Sequence, residues 1–195
     1  MKIITANDIL SWQPCDRSEE DGYNYSYELT DGKFADFSGT ALDVLKITDP
    51  LIPDEDRLWV VLLNDVLPDT LLRAFACDCA ERMLPIYEQH HPEDLRPRRC
   101  IETVRAWLAG NASWEEVGAA QTAADAAARD AASAAAWAAA RCAAIYAAWA
   151  AAGAAADAAA IYAARDAARD AAGQSERRWQ VERLIKMLEV QDEID

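Results

Sequence analysis

The chain is 195 residues long and carries 34 acidic and 19 basic residues, which gives a formal net charge of −15 at pH 7. Such a charge argues against a protein that binds nucleic acid by neutralising its phosphates, and it favours a partner that is itself basic. Seven glycines and seven prolines are few for this length, which argues against a β-sandwich or a loop-rich fold.

The N-terminal residues and the cysteines indicate a cytoplasmic protein. Residues 1–10 contain one lysine and no apolar run, so they resemble neither a signal peptide nor a transit peptide. The long alanine-rich stretch is interrupted by Asp and Arg, which argues against a membrane span. Five irregularly spaced cysteines without an export signal predict reduced, mostly buried thiols.

The first third of the chain is acidic, and its pattern predicts short helices joined by loops. Residues 1–60 contain 13 acidic and 5 basic side chains, which accounts for more than half of the net charge. Thr5 with Asp8, and Thr40 with Asp43, match the capping box that opens a helix. Between these boxes, the alternating tyrosines and the turn signal of residues 23–37 fit either a small hairpin or an aromatic loop packed on the core.

Prolines mark the helix starts in the middle of the chain. Pro53 precedes three acidic residues and Pro68 precedes one, and acids at a first turn suit the positive end of the helix dipole. The helix after Pro68 should run to about Leu84, where Pro85 ends or kinks it. A further helix is predicted over about 98–108.

An alanine-rich tract is the strongest pattern in the sequence. Gly110 closes the preceding helix, and Ser113 with Glu116 forms a third capping box that opens the tract. Residues 119–172 contain 34 alanines in 54 positions, and a residue other than alanine recurs at every fourth position. Alanine is the best helix former, and a straight helix of this length would be about 81 Å long. A compact chain of 195 residues is narrower than this, so we predict that the tract either breaks and folds back, with the break at Gly153, or protrudes.

A final helix is predicted over about 175–190, because five apolar residues recur there at helical spacing. These residues are Trp179, Val181, Leu184, Ile185 and Leu188. The whole pattern predicts an all-α protein, a multi-helix bundle with an alanine-rich, close-packed C-terminal half. We expect a single domain over residues 1–195, with an acidic N-terminal subregion (1–50), a helical middle (51–112) and an alanine-rich helical scaffold (113–195).

The residues that could support catalysis or metal binding lack the spacing that such sites need. His90 and His91 accompany Cys77, Cys79 and Cys100, but cysteines two positions apart on a helix point away from each other and cannot chelate one ion together. Nothing marks a cysteine and a histidine as a positioned catalytic pair, and the sequence has no glycine-rich phosphate loop. We therefore expect no enzyme activity, no metal and no cofactor.

A small basic cluster stands out in this acidic chain and consists of Arg96, Arg98 and Arg99. These side chains could form internal salt bridges, or they could meet a phosphate or an acidic partner. The sequence leaves both interpretations open.

The acidic first third is the candidate partner-binding surface. Its carboxylates and tyrosines would attract a basic protein, with tyrosine as the amphipathic contact residue. The alternative is a solvated surface that keeps the protein soluble. The candidate residues are Asp16, Glu19, Glu20, Asp21, Tyr23, Tyr25, Glu28, Asp31 and Asp36.

Two segments before the alanine tract and one after it resemble those of a known family. Residues 52–59 (IPDEDRLW), 75–81 (FACDCAE) and 179–184 (WQVERL), together with the tract and its Trp and Arg-Asp punctuation, resemble the bacterial and prophage "putative immunity protein" family. The resemblance covers about residues 50–190. It implies an all-helical, non-enzymatic inhibitor that neutralises a toxin by binding it, and it implies no catalytic residues.

These observations predict an acidic inhibitor that binds and neutralises a basic, nucleic-acid-acting protein, such as a toxin or nuclease. A phage-encoded anti-CRISPR or other anti-defence inhibitor that mimics nucleic acid fits the same charge. A structural protein that self-associates through its alanine-rich helices is the alternative from another class. We expect a monomer or homodimer with a basic toxin, nuclease or defence complex as partner, and no direct contact with nucleic acid or membrane.

Overall fold

The computed structural model describes residues 2–14, 24–49, 52–63, 66–130 and 173–192. Within these residues the chain forms eight helices and one pair of two-residue strands, which confirms the prediction of an all-α protein. The helices are α1 (Ala6–Ser11), α2 (Tyr25–Thr30), α3 (Ala41–Leu45), α4 (Asp54–Val61), α5 (Asp69–His90), α6 (Arg96–Leu108), α7 (Trp114–Asp130) and α8 (Gly173–Asp192).

The alanine tract is described only at its N-terminal end, in α7. Ala124 and Ala127 are fully buried there, and Ala124 packs against Cys100 of α6. The small side chain of alanine lets the two helices approach closely at this point. The predicted break at Gly153 lies outside the described residues.

The chain divides into two compact units. One comprises Met1–Leu67 with Arg177–Asp195, and the other comprises Pro68–Glu176. The first unit is therefore built from both ends of the chain, with the second unit inserted between them in sequence. A single domain over residues 1–195 stays a prediction.

Two capping boxes open helices of the first unit, as the sequence predicts. The Thr5 hydroxyl accepts a hydrogen bond from the Asp8 backbone N–H at 3.2 Å, and Asp8 Oδ2 accepts one from the Thr5 N–H at 2.8 Å. Thr40 and Asp43 repeat this exchange at the start of α3. The hydrogen bonds to threonine lower the pKa of both carboxyl groups.

A short antiparallel strand pair holds the N-terminal residues in the first unit. Strand β1 (Ile4–Thr5) pairs with strand β2 (Ser38–Gly39), with Ile4 opposite Gly39. Ile4 is fully buried, and Gly39 lies so close to the Asp43 side chain that an added Cβ would approach it to 2.9 Å. The pair therefore brings α1 close to the start of α3.

Of the two alternatives for residues 23–37, the hairpin is wrong, because Tyr25–Thr30 forms helix α2. Asn24 caps this helix, and its side-chain oxygen accepts a hydrogen bond from the Tyr27 N–H at 2.8 Å. Leu29 is the buried residue of α2, whereas Tyr27 is exposed. The alternating aromatic residues therefore do not line one face of a strand, and a local N-cap decides the conformation.

Arg57 of α4 ties this helix to the end of α3. Its Nη1 group donates hydrogen bonds to the carbonyl oxygens of Leu45 at 2.9 Å and of Ile47 at 2.7 Å. Its Nη2 group donates to Asp54 in the first turn of α4. A helix end that leaves carbonyls unsatisfied is thus completed by a guanidinium from the next helix.

Helix α8 supplies the C-terminal part of the first unit. Val181, Leu184 and Leu188 of the predicted stripe are buried. Arg177 pairs with Glu55 of α4 at 3.0 Å, and the Lys46 ammonium pairs with Glu189 at 2.8 Å. The apolar stripe confirms the predicted helix, whose observed bounds extend it by two residues at each end.

The second unit has its core between α5, α6 and α7. Ala76, Ala80 and Leu84 of α5 recur at four-residue spacing, which places these three residues on one face of the helix. The core cluster consists of Ala76, Cys77, Ala80, Leu84, Ile101, Val104 and Val117.

The predicted end of the helix near Leu84 is wrong, because α5 continues through Pro85 to His90, and a kink at Pro85 stays a prediction. Proline cannot donate the hydrogen bond to the carbonyl four residues earlier, and its ring crowds that carbonyl. Burial on both sides of Pro85 offsets this loss, since Leu84 and Tyr87 are almost completely inaccessible and lie on the same helix face. The Tyr87 ring also stacks on His91, with 4.9 Å between ring centroids.

The connection from α6 to α7 follows the predicted signals. Gly110 has a φ of +75°, the left-handed conformation that closes a helix. Ser113 and Glu116 form the third capping box, with the Ser113 N–H donating to Glu116 at 2.7 Å and the Glu116 N–H donating to the Ser113 hydroxyl at 3.2 Å. Helix α6 begins at Arg96, two residues earlier than predicted.

Asp94 stabilises the loop between α5 and α6 through its hydrogen bonds, and protonation of its carboxylate at low pH should weaken them. Arg96 donates to both Asp94 carboxylate oxygens at 2.8 and 2.7 Å, and the Tyr87 hydroxyl donates to the same group. The hydrogen bonds from Arg96, and next that from Tyr87, hold the pKa of Asp94 well below its ordinary range.

A depressed carboxyl pKa stabilises the folded state above the unfolded pKa of about 3.9 and loses this effect as the pH falls further. We expect Asp94→Asn to be less stable than the wild type at pH 7, with the difference narrowing below about pH 4. Urea unfolding from pH 7 to pH 2.5 measures this, and a difference that stays constant would contradict it.

None of the helices in the described residues is long and apolar enough to cross a membrane.

Candidate interaction surfaces

Part of the predicted acidic surface can be placed. Five of its nine residues lie outside the described residues: Asp16, Glu19, Glu20, Asp21 and Tyr23. The other four, Tyr25, Glu28, Asp31 and Asp36, lie on α2 and the loop after it. This short segment is therefore the part of the acidic surface whose geometry can be examined.

Three of these four side chains take part in hydrogen bonds, and those of Tyr25 and Glu28 shape the first unit, whereas Asp31 accepts one from its neighbour Thr30 at 3.2 Å. The Tyr25 hydroxyl donates a hydrogen bond to Asp56 and so links α2 to α4. Glu28 accepts a hydrogen bond from the Lys33 N–H at 2.9 Å, and a Cβ on Gly32 would lie 2.6 Å from Glu28. Both residues therefore shape the first unit, whatever a partner contacts.

The remaining two acids of the segment face solvent. Asp31 and Asp36 are exposed. Tyr27, which precedes them in α2, has an exposed fraction of 56%. An exposed tyrosine beside carboxylates is the kind of residue set that interfaces with basic proteins use. Lys33 is the cation of this loop, and its ammonium pairs with Asp49 at 2.5 Å.

Exposed carboxylates also occur well away from this segment. In the described residues of the first unit they include Asp43, Glu182 and Glu189, and in those of the second unit they include Asp69, Glu81, Glu93, Glu102, Glu115 and Glu116. Negative charge is thus present on the surface of both units. An electrostatic partner site cannot be located from the charge of the first third alone.

A buried arginine between two tryptophans is the most unusual side-chain arrangement in the second unit. The Cζ atom of Arg73 lies 5.2 Å from the ring centroid of Trp107 and 5.4 Å from that of Trp114. The two indoles meet edge to face, with 5.3 Å between centroids and 61° between planes. We call these three residues, contributed by α5, α6 and α7, the Arg–Trp cluster.

The guanidinium of the Arg–Trp cluster is only partly satisfied. Arg73 is 6% exposed, and its Nη2 group donates a single hydrogen bond of 3.2 Å to Asp69, one turn earlier in α5. The Nε and Nη1 groups of Arg73 are buried and meet no acceptor in the part of the chain that the structure describes. The π faces of the two indoles attract the charge but supply no hydrogen-bond acceptor of ordinary strength.

The predicted basic cluster consists mainly of internal ion pairs. Arg96 is held by Asp94, as described above, and Arg98 donates to both oxygens of Glu88 at 2.8 Å. Arg99 is exposed. The salt-bridge interpretation is therefore confirmed for Arg96 and Arg98.

The described cysteines are buried, and the side chain of His91 packs against another residue of the fold. Burial raises the pKa of the Cys77 and Cys100 thiols to about 12, and it raises that of Cys79 as well. These three thiols are free and buried, as predicted. The described residues contain no group of three or more potential ligands that could hold a metal ion. His91 stacks on Tyr87, and the side chain of His90 lies outside the described part.

The comparison with protein families gives one match. The sequence profile of the family described as "Imm-5 like putative immunity protein" matches residues 65–187. The chain belongs to this family. No curated protein and no solved structure matches the chain. The family assignment confirms the resemblance inferred from the sequence.

The extent of the family match bears on where the partner binds. It covers all of the second unit, Pro68–Glu176, and therefore includes the whole Arg–Trp cluster. The acidic candidate residues, all before position 40, lie outside it. A binding mode shared by the family would use the second unit or residues 177–187 of the first, whereas a choice of partner particular to this chain could use the rest of the first unit.

Sequence reasoning missed the Arg–Trp cluster. Its signal was present, because Arg73 stands within an apolar run of α5 and has the buried Leu72 and Phe75 as near neighbours. A charged residue at a buried helix position predicts a paired or functional group. The two tryptophans that cover it lie 34 and 41 residues later in the chain, so their position required the fold.

Proposed function

We propose that this member of the immunity family is a non-catalytic inhibitor that binds a basic, nucleic-acid-acting toxin and blocks it. The family match over residues 65–187 is the observation that carries the proposal. The net charge of −15 supports a basic partner, because a protein that binds nucleic acid presents a cationic surface to an acidic inhibitor.

The acidic segment of α2 and its following loop would increase the association rate. Asp31 and Asp36 are exposed carboxylates, and Tyr27 offers an exposed ring that can be buried in an interface. Long-range attraction between opposite charges raises the rate of encounter, and salt screens it over about 8 Å at physiological ionic strength. We therefore expect association to slow as salt rises.

The experiment begins with identification of the partner. The tagged full chain is used to capture proteins from a lysate of the source organism, and each captured basic protein is purified and tested for nuclease activity with and without the chain. Stoichiometric inhibition of a captured nuclease supports the proposal. Captured proteins without such activity, or a nuclease that remains active when bound, would contradict it.

The electrostatic part is tested with two charge-matched double variants. Asp31→Lys with Asp36→Lys should reduce the association rate about three- to tenfold at low salt. Glu93→Lys with Glu102→Lys makes the same charge change at exposed sites of the second unit and serves as the control. Stopped-flow measurements at 50 and 500 mM NaCl give both rates. Equal slowing by the two variants would show that net charge, and not the α2 segment, accounts for the attraction.

A further inference from the structure

The N–H groups of Arg73 do not all have a hydrogen-bond acceptor, and a ligand could supply the missing acceptors. Two of its three nitrogen groups are buried without a partner in the described residues, and the third has one long hydrogen bond to Asp69. A buried donor without an acceptor destabilises the fold, and more so when it carries charge. An oxyanion that reached Arg73 would remove this destabilisation and would add a charge-assisted hydrogen bond.

The Arg–Trp cluster offers a route by which such a ligand could reach the guanidinium. Trp114 covers Arg73 and is itself 49% exposed, at the first position of α7. Rotation of its indole would uncover Arg73 while the capping box of Ser113 and Glu116 keeps the helix start in place. Trp107 is half-buried on α6 and would remain as the aromatic wall.

We propose that the Arg–Trp cluster is a binding site for an oxyanion, with Arg73 as the recognition residue and Trp114 as the movable cover. The ligand chemistry is that of a carboxylate from a protein, or of a free phosphate. A carboxylate fits better, because exposed carboxylates on Asp69, Glu115 and Glu116 flank Arg73 and Trp114 in sequence and would repel a dianion about twice as strongly as a monoanion.

This site does not depend on the proposed toxin partner, because it can be tested on the isolated protein. The full chain, labelled with ¹⁵N, is titrated with sodium acetate in place of sodium chloride at constant ionic strength. The readouts are the Arg73 Nε–H resonance and the indole N–H resonances of Trp107 and Trp114. We expect saturable shifts of all three, with millimolar affinity for acetate and weaker affinity for inorganic phosphate. Tighter binding of phosphate would identify a free phosphate as the ligand.

Two variants and a matched control separate a site from general anion effects. Asp69→Asn removes the one competing carboxylate, and Asp69 is exposed, so the fold should tolerate the change; acetate affinity should rise about two- to fivefold. Arg73→Lys removes the Nε and Nη donors and should reduce affinity at least tenfold. Arg99→Lys changes an exposed arginine of α6 and should leave the titration unchanged.

The result for Asp69→Asn decides the matter even if Arg73→Lys fails to fold. An unchanged or weaker affinity in this variant would overturn the proposal. So would Arg73 and tryptophan resonances that do not move with either anion, since water alone would then satisfy the Arg73 donors.

Discussion

Replacing Leu184 with alanine should lower the free energy of unfolding by about 2–5 kcal/mol. Leu184 is completely inaccessible to solvent in α8, within the C-terminal part of the first unit. The change removes apolar contacts and leaves a cavity that a close-packed core fills only partly. Because a whole domain is stable by only 5–15 kcal/mol, the loss is large enough to lower the unfolding midpoint in urea clearly.

The same helix provides the control for this prediction. Val190, also in α8, is 58% exposed, and Val190→Ala should change the free energy of unfolding by less than about 0.5 kcal/mol. Circular dichroism during urea unfolding measures both variants. Similar effects of the two substitutions would mean that α8 does not bury the stripe that places it in the first unit.

Replacing Tyr87 with alanine should lower the free energy of unfolding by about 3–5 kcal/mol. Its ring is 1% exposed, and it lies in the helical turn that follows Pro85. Since Pro85 cannot donate a hydrogen bond to the carbonyl of Glu81, one bond fewer joins the last turn to the rest of the helix, and we expect burial of the ring to keep residues 86–90 helical. We expect amide hydrogen exchange of these residues to speed up much more than that of 76–84.

Tyr87→Phe distinguishes the ring from the hydroxyl group. It keeps the buried ring and removes only the hydrogen bond to Asp94, so it should cost about 1–2 kcal/mol and leave the exchange pattern of residues 86–90 nearly intact. If the phenylalanine variant loses protection as much as the alanine variant, the hydroxyl bond and not the buried ring stabilises the end of α5.

Local signals predicted the helix starts well. Three capping boxes, at Thr5, Thr40 and Ser113, lie where the sequence indicates, because a box depends on residues three apart and needs no distant contact. Gly110 likewise has the positive φ that its position after α6 predicts. These features are decided within one turn of chain.

Features that depend on distant contacts were not predicted. Helix α5 passes Pro85 because Tyr87 is buried and bonded to Asp94 beyond the helix end, which outweighs the local preference of proline. The Arg–Trp cluster needs three helices to meet. The sequence did indicate α8 correctly, since Leu184 and its neighbours recur at helical spacing, but not that the helix completes the unit begun by the N-terminus.

The acidic candidate surface stays a prediction, because the availability of its side chains depends on the fold and not on composition. The acidic surface follows from composition, yet Tyr25 proves to be bonded to Asp56 and Glu28 to the Lys33 backbone. From composition alone both side chains would be free to contact a partner, whereas in the fold they form hydrogen bonds within the first unit. Asp31, Asp36 and the exposed Tyr27 remain as the described residues on which a partner could act.

The assembly of the first unit from both ends of the chain has a consequence during synthesis. Met1–Leu67 is synthesised first, and the whole of Pro68–Glu176 is synthesised before the part of α8 that completes the first unit. At 5–20 residues per second this interval is about 5–20 s. During that time the nascent N-terminal segment lacks the buried apolar residues of α8, such as Leu184. Its surplus of carboxylates would keep neighbouring nascent chains apart by repulsion until α8 arrives.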